Sequence, residues 1–131
     1  MLLVVGNRFL TRLATHFVLS HPGSRAVRCD KTDVVDFVSG NAVDLILLDI
    51  EASLLAGLAL AAHVRAAERR RDDCRCAVIV ASTCSECKFR DSLVAGSAIN
   101  GVLKMPCGGP YFADCVEFWC PAADRRIASS Q

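Results

Sequence analysis

The sequence has no long apolar run, no surplus of charge, no internal repeat and no glycine-rich phosphate loop, and each absence closes off a class of protein. No run approaches the roughly 20 apolar residues that a membrane-spanning helix needs. The opening Met1-Leu2-Leu3-Val4-Val5-Gly6-Asn7-Arg8 has too short an apolar stretch, and no basic segment before it, to serve as a secretory leader. A formal net charge of +1 argues against a protein whose main work is coating nucleic acid or an anionic membrane. No Ser/His/Asp order suggests a hydrolase. The histidines do not cluster as ligands, with His16 and His63 in helical stretches and His21 in a turn.

What is present is a core. Hydrophobic residues make up 53% of the 131, and charged residues 22%, enough for one folded domain and little more. The domain is expected over residues 1–120, with a loose tail over 121–131. Without an export signal the expected location is cytoplasmic, so the eight cysteines are expected as thiols.

Apolar runs alternate with helical patterns. Leu2 to Val5 reads as a strand buried on both faces, Ala26 to Cys29 as a weaker one, and Val43 to Asp49 as the clearest. Ala77 to Ala81 and Gly101 to Lys104 complete five. Between them, Phe9, Leu10, Leu13 and Phe17 recur at helical spacing, and Asp33 to Val38 forms a short helix with Val34, Phe37 and Val38 inward. Leu54 to Arg69 is rich in Ala and Leu. Glu86 to Ala95 and Tyr111 to Cys120 are the last two helices. The run Glu68-Arg69-Arg70-Arg71-Asp72-Asp73 reads as a solvated helix end. Five such alternations predict an α/β fold, a flavodoxin-like (βα)5 three-layer sandwich with a parallel sheet ordered 2-1-3-4-5. Function in such sheets sits at the carboxyl ends of the strands.

Asp44-Leu45-Ile46-Leu47-Leu48-Asp49-Ile50-Glu51, with Gly57 eight residues after Asp49, resembles the third strand and following loop of response-regulator receiver domains. So does Val78-Ile79-Val80-Ala81-Ser82, and Gly101-Val102-Leu103-Lys104-Met105-Pro106 is similar to the fifth strand and its turn. The resemblance covers roughly residues 1–120 and implies a CheY-like, non-enzymatic switch of two-component signalling. In that family a strand-three Asp takes a phosphoryl group from a histidine kinase. Mg²⁺ held by an acidic pair, a strand-five Lys and a strand-four hydroxyl stabilise it.

Carried over, Asp49 falls at the phosphoacceptor position and Ser82 at the switch hydroxyl. The acidic pair is replaced by Gly6 and Asn7, leaving Asp49 and Glu51 as oxygen donors. Mg²⁺ is bound through carboxylates and waters, so at most a weak Mg²⁺ site at Asp49 is implied. The lysine has two readings. Anchored on Gly101 and Pro106, its place falls on Met105, and Lys104, one residue early, points to the other side of the strand. A one-residue insertion before Pro106 would instead leave Lys104 facing Asp49; the first reading needs no gap. Thr83 stands where the family has a small residue. The site reads as a degenerate, pseudo-receiver one, with Asp49 retained in a scaffold kept for binding.

Cys84-Ser85-Glu86-Cys87 is a C-x-x-C before a predicted helix, a setting that lowers thiol pKa values, and supplies a redox- or metal-responsive alternative. Free cysteine also behaves as a small apolar residue, and Cys29, Cys115 and Cys120 are read that way. Cys74 and Cys76 cannot join Cys84 and Cys87 in one zinc site, since about six extended residues span about 20 Å.

The expected activity is therefore protein binding by a stand-alone atypical receiver, with no direct nucleic-acid or membrane contact. The face implied by the resemblance comprises residues 86–95, 101–104 and 111–120, and its partners are a histidine kinase, regulator or output protein. A homodimer through it stays open, as does a working phosphoacceptor. The stretch after 120 is too short for a DNA-binding output domain.

Overall fold

A computed structural model of the chain describes residues 1–6, 8–50, 54–71, 77–83, 98–105 and 107–119, with backbone alone at 54, 55, 82 and 83. The expected helix over 86–95, Cys74, Cys76, the C-x-x-C and the tail lie outside these residues.

The apolar runs form five strands: β1 (Leu2–Val5), β2 (Ala26–Cys29), β3 (Leu45–Asp49), β4 (Val78–Thr83) and β5 (Gly101–Lys104). All pairings are parallel, in the order β2-β1-β3-β4-β5. Helices α1 (Arg8–Ser20), α2 (Val34–Gly40), α3 (Leu54–Arg69) and α4 (Gly109–Trp119) cover it. This is the expected receiver-type, flavodoxin-like arrangement. None of the described helices is long and apolar enough to cross a membrane.

Strand alternation divides the core into two layers. Leu3, Val5, Ile46, Leu48, Ile79 and Ala81 face Val34 and Val38 of α2 and Ala61, Val64 and Ala67 of α3. Leu2, Val4, Leu45, Leu47, Val80 and Leu103 face the opposite way, onto Leu10, Leu13, Ala14 and Phe17 of α1 and Phe112 and Val116 of α4. Those α1 residues recur at i, i+3, i+4 and i+7, a helical stripe one core wide. Phe9, expected on that stripe, is instead exposed, because it lies one residue off it. Each fully buried Leu, Ile or Phe contributes about 1.5–3 kcal/mol relative to exposure.

The charge run that begins in the last turn of α3 is not wholly solvated. Glu68 is buried, and one oxygen accepts from Arg65 Nη1 at 2.8 Å while the other accepts from Ala77 N at 2.5 Å. Arg65 also donates to the Ala77 and Ala98 carbonyls and to Asn100 Oδ1. Buried acids need such partners, and the sequence pattern alone did not show them.

Candidate functional site at the strand ends

Asp49 closes β3 at its carboxyl end and is half-buried there. Counting from Leu45 and Leu47, it takes the sheet face that looks toward α1 and α4. Its register partner on β4 is Ser82, which in turn pairs with Leu103 on β5. The sheet thus brings the two positions side by side; the Ser82 side chain, Asn7, Glu51, Pro106, Cys84 and Cys87 lie outside what is described.

Gly6 follows β1 and is exposed, with φ at 84°. That is the left-handed region, which costs an L side chain free energy and glycine little. Space is not the obstacle, since a Cβ would come no nearer than 3.5 Å, to the Lys31 side-chain Cε. The backbone at this position therefore suits glycine and disfavours an acid. Lys31, just after β2, places a cationic chain beside Gly6; no pattern in the sequence marks it.

At the end of β5 the alternation is unambiguous. Leu103 and Met105 are buried in the α1/α4 layer, Val102 packs against the α2/α3 layer, and Lys104 between them is exposed. Lys104 leaves the strand on the Val102 side, opposite the face that Asp49 shares with Leu45 and Leu47. Met105 takes Asp49's face and brings a thioether, an uncharged group, to it. The Gly101–Pro106 spacing is the sequence signal that points to Met105.

Cys107 lies two residues further on, its Sγ 3.7 Å from Met105 Sδ. Burial pushes its thiol pKa up, and Cys115 adds to the rise. Cys29, at the end of β2, is likewise raised, by burial first and then by Asp33 and Asp30. Neither thiol is activated in the way a nucleophile requires. No group of three His, Cys, Asp or Glu side chains suited to a metal occurs among the described residues. A groove of about 470 Å³, lined by Leu13, His16, Phe17, His21 and Pro110, follows the second half of α1 and does not include Asp49.

No protein-family model matches the sequence, and no curated protein matches it. Solved structures do match. The chain is similar to the Vibrio cholerae chemotaxis protein CheY4, with a TM-score of 0.70 and 14% identity over 88% of this chain and 94% of that one. A chain of the Saccharomyces cerevisiae co-crystal of the histidine phosphotransfer protein Ypd1 with the receiver domain of Ssk1 matches with a TM-score of 0.72 and 20% identity, over 91% and 87%. The Thermotoga maritima response regulator TrrA, in complex with Mg²⁺-BeF, matches with a TM-score of 0.62 and 19% identity, over 90% and 96%. Near-complete coverage on both sides, with the same sheet order, gives the chain the fold of a response-regulator receiver domain.

Proposed function

We propose that this chain is an atypical receiver that signals by binding other proteins and does not run the Mg²⁺-dependent aspartyl-phosphate cycle. The observation that carries this reading is Met105, buried on Asp49's face of the sheet while Lys104 is exposed on the other. A transferred phosphoryl group is stabilised almost entirely by positioned cations, and a thioether supplies no charge. Gly6, in its left-handed conformation, offers no side-chain ligand to a metal either. Among the described residues, Asp49 is the carboxylate that stands at the Ser82 register position.

The partner class is another signalling protein, a reading supported by the similarity to the Ypd1–Ssk1 receiver co-crystal. The surface assigned to binding comprises β5 and the outer side of α4, where Tyr111 and Phe118 are exposed. Phe112 and Val116 belong to the core and are not available. The role is non-enzymatic.

Incubation with acetyl phosphate and Mg²⁺, followed by intact-mass measurement, tests this. The expected result is no added phosphoryl mass. A mass gain that disappears in Asp49→Asn overturns the reading and establishes Asp49, with Ser82 beside it, as a working phosphoacceptor.

A further inference from the structure

The large apolar side chains exposed among the described residues, Phe9, Leu19, Tyr111 and Phe118, all lie on α1 and α4. One exposed apolar residue needs no explanation, but a set confined to two adjacent helices marks a surface. Helical spacing divides it. Tyr111 and Phe118, seven residues apart, share the outer side of α4 already assigned to binding. Leu19, 76% exposed, instead ends an exposed ridge of α1 that runs Arg8, Arg12, Thr15, Leu19, opposite the stripe packed on the sheet. Beside this ridge lies the groove of about 470 Å³ between α1 and α4, with buried Leu13 and Phe17 on one side and Pro110 and Ala113 on the other.

The two helices carry opposite charge. Arg8 and Arg12 are the formally charged residues of α1, and Asp114 and Glu117 those of α4. Arg8, Arg12 and Asp114 are exposed and form no ion pair among the described residues. His21 Nε2, just past α1, lies 3.0 Å from Glu117 Oε1, which sets the acidic pair level with the end of α1. The arginines occupy its first half. Both helices run back from the carboxyl ends of parallel strands, so they point the same way. A two-fold axis across them therefore brings the basic half of one copy's α1 against the acidic half of the other's α4, and symmetry repeats the contact.

We propose that this face pairs the chain with a second copy of itself, the α1 ridge of each copy lying antiparallel in the other's α1–α4 groove. Leu19 is seated in that groove, and Arg12 stands against Asp114. Ridge-into-groove packing buries the apolar strip, and the charges fix its direction, because a parallel pairing sets arginine against arginine. The pairing goes beyond the reading given for Asp49 and leaves Tyr111 and Phe118 free for another signalling protein.

Analytical ultracentrifugation of the full chain, from low to high micromolar concentration, tests this. A monomer–dimer equilibrium that weakens with added salt is expected. Arg12→Glu or Asp114→Arg alone sets like charges together in both symmetry-related contacts, and each is expected to raise the dimer dissociation constant at least about tenfold. An equimolar mixture of the two variants is expected to recover the dimer, because both contacts of the mixed pair again join opposite charges. Circular dichroism checks that each variant folds. A chain that stays monomeric, single variants that dimerise as tightly as the unaltered chain, or a mixture that does not recover overturns the proposal. So does a dimer lost in Phe118→Ser but kept in Arg12→Glu, which moves the interface to the outer side of α4.

Discussion

Arg65 and Glu68 tie together the two chain segments that enter β4 and β5. Glu68 accepts from Arg65 and from the Ala77 amide, while Arg65 reaches the Ala98 carbonyl and Asn100 Oδ1. Asn100 Oδ1 in turn accepts from Ile79 N. Removing one partner of a buried pair leaves the other charge uncompensated, which costs about 3–5 kcal/mol, whereas a neutral replacement that keeps hydrogen-bonding capacity costs less. Arg65→Ala is therefore expected to lower stability by about 3 kcal/mol and Glu68→Gln by about 1 kcal/mol. Urea unfolding midpoints check both, and equal losses would show that the charge on Glu68 is not what the arginine compensates. Sequence reading missed this network because Glu68 sits in a run of charges that looks solvated as a block. Its second partner, the Ala77 amide, comes from the return of the chain into β4.

Elements were legible where burial is symmetrical. β1, β2 and β5 were read with their observed ends, and α3 runs from Leu54 to Arg69 as its Ala/Leu content suggested. The start of α4 was read two residues late, because Gly109-Pro110 looks like a break; proline is in fact well tolerated in a helix's first turn, where its missing N–H has no partner to lose. How α4 seats on β5 was not legible. A Cβ at Gly101 would lie 2.8–2.9 Å from three atoms of the Trp119 indole, so the last turn of α4 rests directly on the glycine backbone. Gly101→Ala must displace that ring, and overpacking of this kind costs about 1–3 kcal/mol. Trp119 is the chain's single tryptophan, so its fluorescence reports the displacement without interference. A shifted emission with a lowered unfolding midpoint is expected. Unchanged emission would mean that α4 does not seat there.

Taken over the whole molecule, the fold and the candidate site were readable to different depths for a physical reason. Alternating strands and helices call for right-handed crossovers and a parallel sheet, and the order 2-1-3-4-5 is the common arrangement at this length. A site at the strand ends depends on single backbone states and on a one-residue register. The Gly101–Pro106 spacing located Met105, but the left-handed φ of Gly6 and the approach of Lys31 left no trace in the pattern. On the proposed reading, these features set how the folded chain responds to Mg²⁺. A ligand that binds only the native state stabilises it by RT ln(1 + [L]/Kd). For a site with Kd above about 100 mM, 10 mM Mg²⁺ adds less than about 0.1 kcal/mol; at a hundredfold excess over Kd it adds about 2.7 kcal/mol. For a domain of this size, 1 kcal/mol moves Tm by about 4 °C. Thermal unfolding in 10 mM Mg²⁺ is therefore expected within about 1 °C of that in EDTA, against about 10 °C for an intact site. Gly6→Asp alone is not expected to restore the response, because the new carboxylate enters at a φ that disfavours it and lowers stability without metal. A rise of several degrees in the unaltered chain, lost in Asp49→Ala, would show instead that Asp49 still holds the ion with oxygen ligands other than Gly6.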